Sequence, residues 1–455
     1  MPPGASCCAG PLAANPSIPT PVTRIAAAPV LVFAALLLVL QAGMLALAPR
    51  LVEGAEIPLA PVLGFVALAM AGGALWLWAI PGPLARMGWP AWLALGAAMR
   101  LLWLDAPVVL NTDHFRYLWE GALLAHGLSP WGSPVAAGVP EALGQAGAVL
   151  APQVNFPTLR SIYPGTAQAG FGLAHLVWPW DVRGLRLVAL AAEAATLGLS
   201  MLLLRRAGWP AARAALWWCC PLAPVLMLGN AHVDVLVPPL LLGALLATLA
   251  GRGVTAGVVL GLAVGVKLWP VLLAPLLGRA LPSEARPGAA LALVVVGGAM
   301  VAPLLTTLGT GEAGLAAYAG GWLVNNAPLA WAVALWPGAG AGLRPVLGLV
   351  AGVVALAVAW RAPSGPAGLL GGALVVAASV FYLSPAQYPW YAAWFMPLAT
   401  LLAFRPLLLP AALLPVYWLW FPLDRAGQGA LFNQALAALH LLPVLLALAL
   451  WWPRR

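Results

Sequence analysis

Charge is what this chain has least of. Lys, Arg, Asp and Glu make up 7% of its 455 residues, and only 12 of these are acidic. A soluble domain of ordinary make-up carries roughly a quarter charged residues. So few charges cannot cover a water-facing surface, and most of the exterior must therefore face lipid. Cysteine is also scarce: the four present form two adjacent pairs, Cys7-Cys8 and Cys219-Cys220. Neighbouring cysteines show neither a disulfide framework nor metal-ligand spacing, which excludes a structural disulfide and a zinc site. No charge precedes Arg24, so the start lacks the basic lead of a signal peptide. Residues 1–23, rich in Pro, Ala and Ser, read as a short disordered cytoplasmic tail. Nor do the basic residues form a block. The net charge of +9 is scattered at the ends of apolar runs, where it sets membrane orientation rather than binding nucleic acid.

What remains is apolar. Hydrophobic residues make up 63% of the chain, and runs near the length of a membrane helix, about 20 residues, follow one another from residue 24 to 455. The 45 prolines and 49 glycines are compatible with helices in lipid, where neighbours re-satisfy freed backbone groups. The sequence predicts an all-α polytopic membrane protein in one integral unit, 24–455. Spans are expected at about 25–48, 59–80, 89–109, 185–204, 210–229, 235–251, 288–307, 343–360, 365–384, 390–404, 406–422 and 430–451. Residues 254–278 read instead as two short halves joined at Lys267-Leu268-Trp269-Pro270. If this segment dips in and returns, Arg86, Arg205, Arg206, Arg252, Arg279, Arg361 and Arg405 all fall on the side of both termini, as the positive-inside rule requires. A broken or re-entrant segment with Lys267 near its tip is therefore expected. No internal repeat is evident.

That orientation puts three polar connections outside: 111–184, about 308–342, and Ser384 to Pro389. A connection as long as 111–184 is usually functional. Within it, Phe115, Leu118, Trp119, Ala122 and Leu123 follow helical spacing while Asp113, Arg116 and Glu120 fall on other faces, which reads as an interfacial amphipathic helix. A second is expected over 164–177, with Gln168 and His175 on one face.

Asp113 opens the sharpest stretch, Asn111-Thr112-Asp113-His114-Phe115-Arg116-Tyr117-Leu118-Trp119-Glu120-Gly121. A carboxylate at the lipid–water boundary suits a general base. It equally suits an N-cap, and both readings stand. Arg116 and Glu120 are spaced to pair. Asn230-Ala231-His232-Val233-Asp234 opens another span. Asp234 there is either a functional intramembrane acid or a solvated helix start, and His232, with no second ligand at metal spacing, reads as a polar neighbour. Lys267 needs an anion, such as a phosphate headgroup, Asp234 or Glu193. Arg100 and Glu193 lie mid-span without an evident partner. Tyr163, Trp322, Asn325, Asn326, Trp390 and Tyr391 offer amides, hydroxyls and rings that suit sugar hydroxyls or simple interfacial anchoring.

Taken together these motifs resemble a known family. Asp113 to Gly121 resembles the Asp-x-x-Arg-Tyr-x-Trp-Asp-Gly signature of bacterial polyprenyl-phosphate-mannose-dependent mannosyltransferases. Gly127-Leu128-Ser129-Pro130-Trp131 is similar to their Gly-x-Asn-Pro-Tyr, and Ile162-Tyr163-Pro164-Gly165 to their Ile-Tyr-Pro-Pro. Asn230 to Asp234 with Lys267 resembles the Asn-x-x-x-Asp and Lys-x-x-Pro of glycosyltransferase family 87 and its relatives in the GT-C superfamily. Leu383-Ser384-Pro385 and Pro389-Trp390-Tyr391 match a late Ser-Pro…Pro-Trp-Tyr motif. Glu120, Trp131 and Gly165 depart from the family pattern.

The resemblance implies a GT-C-like bundle of about 12–13 spans and an inverting transfer of a sugar, mannose by preference, from a polyprenyl phosphate. The acceptor would be a hydroxyl of a glycan or lipid on the extracytoplasmic side of the cell membrane, with both termini cytoplasmic. Asp113 would be the base, and Arg116, Tyr117, Lys267 and Arg160 would hold donor or phosphate. Glu120, Tyr163, Gln168, His232, Asp234, Asn325, Asn326, Trp390 and Tyr391 would line the cleft. No metal or cofactor is implied beyond the lipid-linked donor. The rival class is a multi-pass transporter or lipid flippase, which also needs intramembrane charge and broken helices but keeps its site near the midplane.

Overall fold

Long apolar runs fold here into long helices, some of them carrying an interior proline, and other apolar runs are interrupted. The computed structural model describes residues 27–52 and 57–451. The expected N-terminal tail and the Cys7-Cys8 pair lie outside the described residues. The regular structure of the described residues is all helical, apart from one isolated bridge between Val324 and Ala386. Its main helices are α1 (Ala27–Leu47), α2 (Leu59–Ala79), α3 (Trp89–Trp103), α4 (Asp113–Ala125), α5 (Gly165–Val177), α6 (Val182–Ala207), α7 (Val237–Leu249), α8 (Gly253–Val264), α9 (Ala274–Ala280), α10 (Arg286–Leu305), α11 (Ala339–Arg361) and α12 (Pro366–Leu383).

Among the described residues, eight helical stretches are long and apolar enough to cross a membrane: those of α1, α2, α6, α10, α11 and α12, with Arg405–Arg425 and Gly429–Leu450. The protein is a multi-pass helical membrane protein. Helix α6 shows how such a span is bounded. Asp181 caps its start, accepting from the Arg183 N–H, and Gly208 ends it in the left-handed conformation at φ 69°, which a glycine adopts without a Cβ penalty.

The other four expected spans are shorter or interrupted. Helix α3 stops after 15 residues at Trp103. The run 210–229 holds only a short helix, Ala214–Trp218, and a wide π turn over Pro224–Gly229. The run 235–251 is a tight turn, Val233–Leu236, followed by the 13-residue α7. The run 390–404 is a tight turn, Pro389–Trp394, followed by Met396–Leu401. Prolines 221, 224, 389 and 397 lack the N–H that a continuous helix needs. The carbonyls freed by such breaks require partners, and Arg186 of α6 supplies several. Its guanidinium donates to Leu104 O (2.9 Å), Ala106 O (2.6 Å), Leu228 O (2.9 Å) and Gly229 O (2.7 Å).

Helices α8 and α9 form the two arms of a bent segment, joined through Gly265 to Leu273. Gly253, Gly257 and Gly261 line the face of α8 against α10. A Cβ on either of the first two would come within 2.2 Å of Ala285 O or 2.1 Å of Ala289 O. This is the small-residue spacing that lets membrane helices touch along their backbones. Both arms leave from and return to one end of the bundle, where Pro282 lies against Gly251. At that end Arg206 donates to Leu249 O and Arg279 to Ala359 O, each at 2.8 Å.

Helix α4 forms where expected but does not lie with one face in water. Arg116, Tyr117 and Glu120 are buried along with Leu118, Trp119 and Ala122. Gly121 lets α5 approach so closely that a Cβ would meet Phe171 O at 2.4 Å. The polar face of α4 therefore points into the protein.

Candidate functional site

Local backbone turns bring four ionisable side chains to one cavity at the end of the bundle opposite Arg206 and Arg279. After α3 the chain turns through Leu110 at φ 45°, and Asn111 Oδ1 accepts from the Asp113 N–H at 2.9 Å. Asp113 is thus the first residue of α4 and not its cap. Its carboxylate points away from the helix N–H groups. Asn155 Nδ2 donates to Oδ1 at 2.7 Å, and His232 Nε2 lies 3.2 Å from Oδ2. The second segment of the site turns at Ala231, with φ 50°. Asn230 Oδ1 there accepts from the Val109 N–H at 3.3 Å. That bond ties the turn carrying His232 and Asp234 to the segment that leads into Asp113.

His232 sits between the two carboxylates. Its Nδ1 is 2.7 Å from Asp234 Oδ2, and Lys267 Nζ is 3.3 Å from the same oxygen. Trp394 Nε1 donates to the other oxygen of Asp234 at 2.7 Å. Lys267 reaches Asp234 because the bend between α8 and α9 places it at the apex. Its ammonium also lies over the rings of Tyr391 (5.0 Å) and Tyr163 (5.6 Å), a cation–π environment. Two acids thus face one imidazole and one ammonium within the cluster. The Asp234 side chain is 0% exposed, whereas Lys267 is 16% and Asp113 28% exposed. The last two are therefore the charged faces offered to a ligand.

Burial pushes the Asp113 carboxyl upward. Hydrogen bonding and charge from His232, the Asn155 amide and the charge of Lys267 outweigh it, and its pKa lies below the ordinary 3.8. The carboxylate is ionised at neutral pH. Glu120, about two helix turns along α4, goes the other way. Burial raises its pKa despite Arg116, Gln168 and Ser161.

The cavity holds about 310 Å³, at the lower end of the usual range for small-molecule sites. Asp113, Arg116, Arg160, His232 and Lys267 line its charged side, and Tyr388, Trp390, Tyr391, Tyr417 and Trp420 its aromatic side.

No family model, curated protein or solved structure matches this chain. The reading of the site therefore rests on its own geometry.

Of the residues singled out in the sequence, Asp113, His232, Asp234, Lys267, Tyr117, Tyr163, Trp390 and Tyr391 converge. Tyr117 Oη is 3.2 Å from His232 Nε2 and accepts from Tyr163 Oη at 3.4 Å. Arg116 borders the cavity, but its donors are spent on protein. They reach Asn155 Oδ1 (3.2 Å), Phe156 O (2.8 Å), Leu159 O (3.4 Å), Glu120 Oε1 (3.4 Å) and the Asn155 carbonyl. Arg160 lines the mouth and pairs with Glu312 at 2.8 Å. Glu120 and Gln168 are buried behind Arg116, bonded to each other at 2.6 Å, and do not reach the lining. Asn325 and Asn326 also stand off the cavity. Asn325 donates to Gln387 O, and Asn326 caps the helix Ala327–Leu335 and donates to Ser384 O. Among the described residues no group of three or more His, Cys, Asp or Glu side chains is arranged to hold a metal ion.

Sequence reasoning missed Asn155, Trp394, Tyr388 and Tyr417. Asn155 is the consequential one, since it holds Asp113 and is itself oriented by Arg116. It lies outside any periodic segment, so nothing in its neighbourhood marked it.

Proposed function

We propose that this protein is an inverting glycosyltransferase of GT-C type that moves a sugar, mannose by preference, from a polyprenyl phosphate to a glycan or lipid hydroxyl. The observation that carries this reading is the pairing of an ionised, cavity-facing carboxylate, Asp113, with a cavity-facing ammonium, Lys267, across His232. The reaction needs one group of each sign. The acceptor oxygen attacks the anomeric carbon and passes its proton to Asp113. The bond from that carbon to the phosphate oxygen breaks, and its electron pair leaves on the lipid phosphate. Lys267 stabilises the charge that grows there, as a fixed cation does best in a site that excludes water. His232 and Asn155 hold the carboxylate in place.

Charge distribution supports an extracytoplasmic site. The end of the bundle away from the cavity carries Arg206, Arg213, Arg252, Arg279, Arg361 and Arg405, and the positive-inside rule makes that end cytoplasmic. Both termini then lie in the cytoplasm and the cavity opens to the outer leaflet, where a lipid-linked sugar presents its headgroup. A site at one end of the bundle also fits an enzyme better than a transporter, whose site lies near the midplane.

The test is reconstitution in vesicles with radiolabelled polyprenyl-phosphate mannose and a mannoside acceptor. The wild type should transfer label. Asp113→Asn should lose roughly a hundred- to ten-thousandfold in turnover, the usual worth of a general base, while the protein still inserts and folds. Near-normal turnover in that variant refutes the assignment of the base. Absence of transfer from any polyprenyl-phosphate sugar by the wild type refutes the reaction class.

A further inference from the structure

A column of three rings runs from the charged cluster into the cavity. The imidazole of His232 stacks on Trp390, with centroids 4.1 Å apart and planes at 21°. Trp390 stacks in turn on Tyr388, at 4.6 Å and 8°. Tyr417 meets both upper rings edge-on, 5.9 Å from Trp390 and 5.7 Å from Tyr388. Being nearly equidistant from two stacked rings, it must stand beside the column and not on its end. Tyr391 stands likewise, 5.5 Å from Tyr388 and 6.4 Å from Trp390, both edge-on. Among the described residues no aromatic ring stacks on the distal face of Tyr388, and Tyr388 is only partly buried and lines the cavity.

We propose that the distal face of Tyr388 is a platform for a pyranose ring of the acceptor, so that the acceptor is a saccharide and not an aliphatic alcohol. This rests on the sugar-transfer reading above. An aromatic face carries a negative quadrupole, and the axial C–H groups of a pyranose present a weakly positive apolar patch that matches it. The side walls supplied by Tyr417 and Tyr391 fix the tilt of the Tyr388 ring, so the platform is rigid before a ligand arrives, and pre-organisation of this kind lowers the cost of binding. The donor is tied to the other end of the column. Its phosphate belongs at Lys267, beside His232 and Asp234, and its sugar is bonded to that phosphate. The Tyr388 end is left for the molecule that attacks.

Two measurements on the full-length protein in nanodiscs decide this, with a methyl mannoside disaccharide as the probe. The first needs no donor. Saturation-transfer NMR should show contact to the C–H protons of one pyranose face in the wild type and in Tyr388→Phe, and a several-fold weaker contact in Tyr388→Leu, which keeps apolar volume but has no ring. The second is turnover with polyprenyl-phosphate mannose. Tyr388→Leu should raise KM for the disaccharide roughly five- to tenfold, the size of one stacking contact, and leave kcat within about twofold. With a simple alkyl alcohol as acceptor its KM should not move. No contact in the wild type, or contact and KM untouched in Tyr388→Leu, overturns the platform. Saturation transfer that depends on Tyr388 in a protein without transferase activity would overturn the transfer reading and leave the platform standing.

Discussion

Two of the buried ion pairs among the described residues, Arg100–Glu193 and Lys267–Asp234, are built differently. Arg100 and Glu193 are both 0% exposed and bond to each other directly. The remaining guanidinium N–H groups reach Gly96 O (3.0 Å) and Trp218 O (2.7 Å), and the cation lies 3.7 Å over the Trp218 ring. Nothing on that arginine is left to offer a ligand. Lys267 and Asp234 are 3.3 Å apart, but among the described residues the ammonium pairs with no second carboxylate, and it opens on a cavity shared with Asp113. Burial and opposite charge are common to both pairs. What separates a pair that holds helices together from one that does chemistry is whether the cation's other directions are filled by protein.

Cutting the closed pair should do the most damage. Arg100→Ala leaves Glu193 uncompensated and should cost about 3–5 kcal/mol, read as a loss of folded protein and of unfolding midpoint in detergent. The double variant Arg100→Met/Glu193→Leu should recover most of that loss, and a failure to recover would mean that the pair does more than hold. Lys267→Met should reverse the pattern. Turnover should fall by roughly a hundred- to a thousandfold, the usual worth of one preorganised charge-stabilising group, while the midpoint drops less than in Arg100→Ala because Trp394 and His232 still face Asp234. Equal destabilisation by the two variants would erase the distinction.

The contrast extends to two carboxyls on α4. Acidification followed by infrared spectroscopy, with Asp113→Asn and Glu120→Gln to assign the bands, should show Glu120 protonating first. Its raised pKa puts that step above the ordinary 4.5, whereas Asp113 holds its charge to below the ordinary 3.8. For Asp113 the sign follows directly: a depressed folded pKa contributes stability that is present above the unfolded value and lost as pH falls through the folded one. A reversed order would show that His232 and Asn155 do not set the charge of the site. The smallest effect belongs to Arg183, whose exposed contacts with Asp105 and Asp181 are screened by solvent. Arg183→Ala should leave both midpoint and turnover unchanged.

Much of this was legible beforehand because polar residues are so rare here. In a chain this apolar, Asp113, His232, Asp234 and Lys267 stand out one by one, and they meet. The long spans were legible for the same reason, through length and hydropathy. The interrupted ones were not, since an apolar run reads alike whether prolines 221, 224 and 397 break it or not. Aromatic residues carried the least information. Membrane proteins place Trp and Tyr at interfaces in any case, so the stacked Tyr388 looked no different from the exposed Trp360. Arg116 misled in the opposite sense. The family resemblance implies a donor or phosphate ligand there, whereas the path of the loop through Asn155 and Phe156 engages its donors.

The grip of Arg186 on four carbonyls has a consequence for how the chain is made. Leu104 and Ala106 are synthesised before it, and Leu228 and Gly229 after it. A nascent chain that has reached the end of α6 therefore carries a cation with half its acceptors still to come, and buried donors left unmatched are costly. The first half of the protein should mature in one step, when residue 229 enters the membrane, and polypeptides ending before that point should be poor survivors of cellular quality control.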